Sequence, residues 1–290
     1  MKKLTIFTPA YNRGYTLDKL YKSLINQTDN NFEWLIVDDG SSDNTKEIVE
    51  SWIEDNIINI RYIYQDNQGK QIAHNTGVLN AKYELFVCVD SDDYCTYDFV
   101  EKILNKSKEI YNNNKLVGII AYRKFINKDV KYIIPKVKYL TLTDLNFKYH
   151  YKNDLVLVYK TEILKKYLFP KIEGEKFIPE TYVYNQIDEI GKMALLPEKI
   201  YICEYLKDGY TNNTKKLIKN NPKGYALCAK QRMEITPYFI NKVRSASQYT
   251  VGSWLAGDKE FIKNENKYIY KILILACIPI SLVFYIKKYK

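Results

Sequence analysis

Three carboxylates follow an apolar stretch of the sequence without a break. The stretch is FVCVDSDDY, residues 86–94, and its acidic residues are Asp90, Asp92 and Asp93. In an extended chain, side chains two residues apart project to the same side, so Asp90 and Asp92 can share one cation. The pattern therefore predicts a cation site at the end of a buried strand.

Strand and helix patterns alternate through the first hundred residues, which is typical of βα units in an α/β fold. Apolar runs predict strands at Leu4–Thr8, Phe32–Val37, Ile60–Tyr64 and Leu85–Val89, and helical spacing predicts helices at Thr16–Asn26, Asp43–Trp52 and Lys70–Ala81. Polar clusters follow the four strands at residues 9–13, 38–43, 66–69 and 90–93. Because open parallel sheets bind ligands beyond the carboxyl ends of their strands, we expect these clusters to converge on one edge.

The pattern loosens after about residue 115. It predicts strands at Val117–Phe125 and Leu155–Tyr159, irregular or β structure at Val130–Leu142, a short helix at Thr161–Tyr167, and two closing strands, Met193–Leu196 and Ile200–Tyr205, around Pro197. From Pro222 onward the pattern is helical, with breaks near Pro237 and Gly257. We expect a smaller helical region to follow the α/β part.

Charge is distributed unequally along the 290 residues, although the formal net charge is +10. Residues 1–100 hold 9 Lys and Arg against 16 Asp and Glu, so the basic excess lies in the remainder. A basic surface can meet nucleic acid, anionic lipid or an acidic substrate. We expect no nucleic-acid partner, and a salt-sensitive gel shift would detect one.

The cysteines and the first residues of the sequence indicate in which cellular compartment the protein folds. The five cysteines are scattered without a C-x-x-C pair, which favours neither a disulfide framework nor a zinc site and fits a reducing cytosol. The apolar run near the start is short and is broken at Pro9, so we interpret Leu4–Thr8 as a strand and expect no signal peptide.

Three segments in order, TIFTPAYNRGYTLDKLYKSLINQT, FEWLIVDDGSSDNT and NQGKQIAHNTGVLNAKYELFVCVDSDD, resemble family 2 glycosyltransferases with a GT-A fold. The resemblance is close over about the first hundred residues and looser to about residue 205. It implies a nucleotide-sugar donor and a Mn²⁺ or Mg²⁺ ion, since an oxygen-bound divalent cation stabilises a departing diphosphate. It also implies a mixed, Rossmann-like sheet flanked by helices.

The resemblance assigns the donor site residue by residue. Asp90-Ser91-Asp92 is similar to the D-x-D motif, with Asp92 as metal ligand and Asp90 near the ribose or the metal; we expect Asp93 to be a helix cap or a supporting acceptor. Asp39 matches the carboxylate that accepts a hydrogen bond from uracil, so UDP is the expected carrier. Asp38 is expected to be structural. The remaining nucleotide-binding positions are the loop residues Thr8, Pro9, Ala10 and Tyr11 and the diphosphate contacts Lys70 and His74.

Two positions depart from the family pattern. His74 stands where the family usually carries Arg, which weakens the diphosphate contact or makes it pH-dependent, and Lys70 can supply the charge. The other reading of His74 is a hydrogen-bonded helix residue. In FIPETYVYNQI, Thr181 follows Glu180 where the family tends to have Glu-Asp. We assign the catalytic base to Glu180, which also suits a helix N-terminus, and regard Tyr182 and Tyr184 as possible acceptor contacts.

The C-terminal segment ILILACIPISLVFYI, residues 272–286, has no charge and is followed by lysines. As a helix it would reach about 22 Å, short of a hydrocarbon core of roughly 30 Å. With Pro279 expected to interrupt it, the segment favours a shallow attachment to an anionic membrane surface over a span. The alternative is a core helix of the second domain.

Together these observations predict a metal-dependent inverting glycosyltransferase that moves a sugar from a UDP-sugar to a hydroxyl of a glycan or lipid-linked acceptor in surface-polysaccharide synthesis. We expect it to be cytoplasmic and peripherally associated with the inner face of the cell membrane. The expected domains are a GT-A domain at 1–205, with a nucleotide-binding half at 1–100 and an acceptor half at 101–205, and a helical region at 206–290 with an apolar basic tail at 268–290. Two alternatives stay open: a phosphatase with an aspartate nucleophile, whose strand can also end in D-x-D, and a non-catalytic nucleotide-sugar-binding module.

Overall fold

The computed structural model describes residues 3–126, 128–204 and 214–289. The chain forms two compact units, the first comprising Met1–Leu168 and Ile190–Leu206 and the second Phe169–Glu189 and Lys207–Lys290. Residues 169–189, which the sequence assigns to the GT-A domain, therefore cluster with the helical residues. The expected boundary at 205/206 lies outside the described residues.

The first unit is built on one mixed sheet. Its strands are β1 (Leu4–Ala10), β2 (Phe32–Asp38), β3 (Ile60–Tyr64), β4 (Leu85–Cys88), β5 (Tyr94–Cys95), β6 (Leu116–Ile126), β7 (Tyr139–Leu140), β8 (Leu155–Lys160) and β9 (Lys192–Glu204). The order is β3-β2-β1-β4-β8-β6-β9-β5, with β7 paired to β9. The first four strands in this order are parallel, whereas β8 is antiparallel to both of its neighbours.

Helices flank the sheet, and the longer ones carry an apolar stripe. They are α1 (Gly14–Ile25), α2 (Thr45–Asp55), α3 (Lys70–Asn80), α4 (Phe99–Tyr111), α5 (Leu142–Phe147) and α6 (Thr161–Leu164). In α1, the buried side chains Leu17, Leu20 and Leu24 recur at helical spacing and join the core that contains Trp34 and Val87. The mixed, helix-flanked sheet that the sequence predicts is confirmed, and its first four strands lie within a residue or two of the expected positions.

One expectation about the second half of the first unit is wrong. The two closing strands are one strand, β9, that continues through Pro197. Its register against β6 shifts between Ile120 and Tyr122, whose partners are Leu195 and Lys199, so Pro197 lies in an irregularity where its missing N–H removes no ladder bond. The helix α4 lies in a segment for which the sequence analysis predicts no element.

The second unit is helical in its described part. Its helices are α7 (Thr181–Asp188), α8 (Thr214–Asn220), α9 (Pro222–Ile235), α10 (Phe239–Leu255) and α11 (Tyr268–Tyr289). The apolar cluster between α9, α10 and α11 includes Met233, Ala246 and Cys277. The expected breaks near Pro237 and Gly257 coincide with the ends of α9 and α10.

The prediction that Pro279 interrupts the C-terminal segment is wrong. The helix α11 runs unbroken for 22 residues, which is about 33 Å at 1.5 Å per residue. Ile274, Cys277 and Ser281 are buried on both sides of the proline, while the proline itself is exposed, so packing of the flanking turns keeps the helix in one piece. Among the described residues this is the one helix long and apolar enough to cross a membrane.

The helix α3 packs unusually close to the sheet at Gly77. A Cβ placed on this glycine would lie 2.4 Å from a ring carbon of Phe7 in β1. The contact fixes the height of α3 above β1, and α3 begins at Lys70, one of the expected donor-site residues. The close approach therefore connects core packing with the position of the site.

Gly77→Ala tests this packing. Alanine is the better helix former by about 1 kcal/mol, but the clash with Phe7 is expected to outweigh this gain and lower the free energy of unfolding by about 1 to 3 kcal/mol. Urea denaturation measures the difference. Leu79→Ala on the exposed side of the same helix is the control and should change stability little; a Gly77→Ala protein as stable as the wild type would contradict the described packing.

Candidate functional site

The loops after β1 and β2 are bonded to each other at the carboxyl edge of the sheet. Asn12 adopts a left-handed conformation, with φ of 53°, and its side-chain oxygen accepts a hydrogen bond from the Ser42 N–H at 2.8 Å. Its own N–H donates to the Ser41 hydroxyl at 2.8 Å, and the Gly14 N–H donates to Asp43 at 3.1 Å. The expected convergence of the first two polar clusters is confirmed.

Asp39 ties the loop after β3 to the same edge. Its Oδ1 accepts hydrogen bonds from the Gln65 side chain at 2.7 Å and the Gln68 N–H at 2.9 Å, and its Oδ2 accepts one from the Gly69 N–H at 2.8 Å. A carboxylate offers about four acceptor positions, so by this count one position on Oδ2 remains for a ligand donor. The neighbouring Asp38 accepts from the Ser41 N–H and the Tyr62 hydroxyl, which is the structural role expected of it.

Asp90, at the end of β4, is held between two cations. The Lys70 ammonium lies 2.7 Å from Oδ1, and the Arg123 guanidinium lies 3.3 Å from Oδ2. Burial opposes ionisation of Asp90, but the charges of Lys70 and Arg123 outweigh it and hold the pKa of this carboxyl well below its usual range. Asp90 is therefore anionic at physiological pH, and its charge is largely balanced inside the protein.

Tyr201 of β9 forms hydrogen bonds with two members of the acidic cluster. Its hydroxyl accepts a hydrogen bond from the Asp90 N–H at 2.9 Å and donates one to Oδ2 of Asp93 at 2.8 Å. The Arg123 guanidinium stacks 4.3 Å from the centre of its ring. Asp93 also accepts from the Glu204 N–H, so of its two expected roles it takes that of supporting acceptor; α4 begins six residues later.

Asp92 is half-buried and lies close enough to Asp90 for the two carboxylate charges to repel each other. Burial, followed by repulsion from Asp90, raises the pKa of Asp92 above its usual value. A divalent cation would relieve this repulsion, and carboxylate oxygens are the ligands that Mg²⁺ and Mn²⁺ prefer. The described residues contain no cluster of three or more His, Cys, Asp and Glu side chains arranged around a metal. Asp92 and Asp90 would therefore supply two carboxylate groups to such a cation.

The other expected donor-site residues lie in varied environments on the first unit. Thr8 is fully buried, and its hydroxyl accepts from the Trp34 indole at 2.9 Å inside the core. Ala10 and Ser91 are buried, Pro9 is half-buried, and Tyr11 has 51% of its surface exposed.

His74 is 7% exposed and lies edge-on to the rings of Phe7 and Phe86, 5.7 and 5.5 Å away between ring centres. This apolar contact favours the structural reading of the histidine. Lys70, on the first turn of the same helix, already lies at the acidic cluster and is the better placed of the two expected diphosphate contacts.

Glu180 belongs to the second unit, at the N-cap of α7. The next residue, Thr181, has its hydroxyl 3.4 Å from the Cys228 sulfur of α9, and Gln231 of α9 donates to the Tyr182 carbonyl at 2.8 Å. These bonds anchor the start of α7 within its unit and define the position of Glu180 there. The role of Glu180 as base stays a prediction, as do the acceptor contacts of Tyr182 and Tyr184.

The family model of glycosyl transferase family 2 matches residues 5–169, which is more than half of the chain. The chain belongs to this family. The family assignment confirms the resemblance seen in the sequence motifs and disfavours the phosphatase alternative, since the acidic cluster now lies within the glycosyl transferase match.

Curated relatives show the same family over parts of the chain. Glycosyltransferase GlyA of Streptococcus pneumoniae serotype 4 is 29% identical over 69% of this chain. An uncharacterized glycosyltransferase of Haemophilus influenzae is 31% identical over 61% of this chain and 70% of its own length. The match spans only 28% of GlyA and 21% of a Rickettsia felis glycosyltransferase, so this chain corresponds to a fraction of several relatives.

Solved structures share the fold at low sequence identity. Residues 1–349 of Staphylococcus aureus TarS, in complex with UDP-GlcNAc, superpose with a TM-score of 0.66 at 19% identity, covering 97% of this chain and 80% of that one. A Pyrobaculum calidifontis mannosyltransferase in complex with GDP-Man and Mn²⁺ superposes with a TM-score of 0.56 at 14% identity, covering 97% and 81%. These likenesses confirm the predicted GT-A fold.

Sequence reasoning missed Arg123 and Tyr201. The sequence does contain a signal for Arg123, because it is the first charge in the apolar run LVGIIAYRKF. A buried charge without a partner is costly, so its position in this run indicates an ion pair. Tyr201 has no such signal among 28 tyrosines. Both residues reach Asp90 from strands more than thirty positions away in the chain, so only the sheet order brings them there.

Arg123→Leu tests the charge balance of the cluster. The substitution removes the buried guanidinium beside Asp90 and Asp93. Because it leaves buried negative charge without its partner, we expect the free energy of unfolding to fall by about 3 to 5 kcal/mol near neutral pH. The folded-state pKa values of both carboxyls should rise, so the deficit is full at about pH 8 and shrinks as the pH falls and these groups take up protons.

Urea denaturation across this pH range measures the effect. Arg244→Leu, which removes an exposed arginine of α10, is the control and should change stability by less than about 0.5 kcal/mol at any pH. A pH-independent deficit in Arg123→Leu would show that lost packing, rather than unbalanced charge, is the cause.

Proposed function

We propose that this chain is a metal-dependent, inverting glycosyltransferase that moves a sugar from a UDP-sugar to an acceptor hydroxyl. The observation that carries the proposal is the position of Asp90-Ser91-Asp92 at the end of β4, where the loops after β1, β2 and β3 meet. A sugar nucleotide is the ligand that the family implies for this edge. We assign donor binding to residues 1–100 and acceptor binding to residues that follow.

Uridine is the favoured nucleoside for two reasons. Asp39 keeps one acceptor position on Oδ2 by the count above, which suits the single N3–H donor of uracil. The S. aureus TarS structures, which share the fold, contain UDP-GlcNAc and UDP. Pro9, Ala10 and Tyr11 form the strand end and loop beside Asp39, where the base and ribose would pack, and Thr8 supports this strand end from the core.

Asp92 and Asp90 would hold the Mn²⁺ or Mg²⁺ ion, which when bound supplies positive charge against the departing diphosphate. Lys70 offers a second positive charge at the same point because it already contacts Asp90. Arg123 helps to keep Asp90 ionised, and Arg123 and Tyr201 orient Asp90 and Asp93 without touching the donor themselves. His74 supports the packing of α3 in this scheme.

Glu180 is the proposed general base. A carboxylate that removes the proton from the attacking hydroxyl must lie on the face of the sugar opposite the leaving group, so the displacement inverts the anomeric configuration. Tyr182 and Tyr184, on the first turn of α7, are the proposed acceptor contacts. The acceptor would be a glycan or lipid-linked glycan of the cell surface, extended on the cytoplasmic face of the membrane.

Titration calorimetry with UDP, GDP and TMP, with and without Mn²⁺, tests the donor site. We expect UDP to bind more tightly than the other two nucleotides and only with the metal ion. Asp92→Ala should weaken UDP binding at least about tenfold, because a hard cation loses one of its few protein ligands. Asp55→Ala, at an exposed helix end, is the control; no nucleotide binding by the folded wild type would overturn the proposal.

Glu180→Gln separates the base from the donor site. The amide cannot accept the hydroxyl proton, so transfer should fall by about a hundredfold or more while UDP affinity stays unchanged. Release of UDP from a panel of UDP-sugars, with a glycan acceptor, measures turnover. Glu189→Gln at the other end of α7 is the matched control, and unchanged turnover in Glu180→Gln would reject this residue as the base.

A further inference from the structure

An apolar face of α11 is exposed along the length of the helix. Its members recur every three or four positions, so they share one side: Tyr268, Ile269, Ile272, Leu275, Ala276, Pro279, Ile280, Leu282, Val283 and Ile286. No charge interrupts this face between Lys271 and Lys287. Soluble proteins rarely expose a continuous apolar strip of this extent unless something binds it.

The opposite face of α11 is fixed to the helical unit. Ile274 and Cys277 lie in the core shared with α9 and α10, and the Tyr285 ring contacts Trp254 at 6.0 Å between centres. The neighbouring helices carry Lys230, Arg232, Lys242 and Arg244. To cross a bilayer, α11 would have to leave this core or carry those charges with it, so a position in the plane of the surface is favoured.

The apolar surface continues at one end of the unit. Phe239 and Ile240, at the start of α10, are 70% and 81% exposed. This end lies beside the start of α11, because the Tyr270 hydroxyl donates to the Glu234 carbonyl and Lys242 lies over the Tyr270 ring. The added side chains broaden the strip at the end where α11 begins.

Lysines border the other end of the strip. Ile218 of α8 packs with Tyr289 of α11, which places α8 against the end of the long helix. Lys215, Lys216 and Lys219 of α8 are exposed there, near Lys287 and Lys288. Over residues 214–289 the sequence has 14 Lys and Arg against four Asp and Glu, and none of the acidic residues follows Glu265.

We infer that the exposed face of α11, with the adjoining lysines of α8, docks the protein in the plane of a bilayer that contains anionic headgroups. The apolar strip would enter the interfacial layer while the lysines contact phosphate groups at its border. Pairing with a second copy through α11 is disfavoured, because an antiparallel pair would bring Lys267 and Lys271 of one copy towards Lys287 and Lys288 of the other. The inference deepens the proposed function, on whose membrane location it rests, by naming the surface and the lipid class.

Vesicle sedimentation of the full chain tests the docking surface. We expect binding to phosphatidylcholine vesicles that contain phosphatidylglycerol, little binding to phosphatidylcholine alone, and weakening by added salt. Lys215→Gln, Lys216→Gln and Lys219→Gln together should lower the partition coefficient by about a hundredfold, since each lysine near an anionic surface contributes about a factor of five. Leu275→Gln with Val283→Gln should lower it at least about tenfold.

Matched controls come from the first unit. Ile57→Gln with Leu79→Gln alters two apolar side chains that are 59% and 56% exposed, and Lys46→Gln, Lys108→Gln and Lys115→Gln remove three exposed lysines. Both control proteins should bind vesicles as the wild type does. Equal losses in control and test variants would overturn the assignment of the surface to α8 and α11.

Three further results would overturn the proposal, besides a failure of the wild type to bind vesicles. They are equal binding to neutral vesicles, retention in the membrane after an alkaline carbonate wash, which indicates a spanning helix, and a stable dimer by light scattering that the Leu275→Gln with Val283→Gln variant abolishes. UDP affinity of each variant is measured in parallel. Intact UDP binding with no vesicle binding rejects the docking surface alone, whereas vesicle binding without UDP binding rejects the donor site alone.

Discussion

The candidate site depends on one electrostatic arrangement, the Asp90 carboxylate held between Lys70 and Arg123. A charge buried at a strand end is tolerated only when it is paired and hydrogen-bonded. Arg123 stacks on Tyr201, and Tyr201 bonds both to the Asp90 N–H and to Asp93. The cluster is therefore braced by β6 and β9, while burial and repulsion from Asp90 raise the pKa of the half-buried Asp92.

The nucleoside side of the edge is organised by hydrogen bonds to the backbone rather than by side-chain packing. Asp39 receives two N–H groups from the loop after β3, and Asn12 exchanges bonds with the loop after β2. Loops bonded in this way are ordered before a ligand arrives, which reduces the entropy lost on binding. The same bonds explain why acidic and amide residues are concentrated here even though only a few would touch a nucleotide.

In the helical unit, tertiary packing overrides the low helix propensity of a proline. Proline is a poor interior helix residue, yet α11 continues through Pro279 because buried turns on either side are packed against α10. The resulting helix has two unlike faces, one in the core of the unit and one apolar and exposed. That division is invisible in the sequence, where both faces are equally apolar, and it decides whether the segment is a core helix, a span or a surface for lipid.

Sequence patterns predict the βα order of the first hundred residues, the strands β1 to β4 to within one or two residues, and the residues of the acidic cluster. Hydrophobic periodicity and polar residues at strand ends are local patterns, so they can be recognised without tertiary information. Three features become visible only in the folded chain: Arg123 and Tyr201 complete the cluster, β9 passes through Pro197, and residues 169–189 join the helical unit. These features depend on contacts between distant segments, and charge pairing or strand register between such segments leaves no periodic trace in the chain.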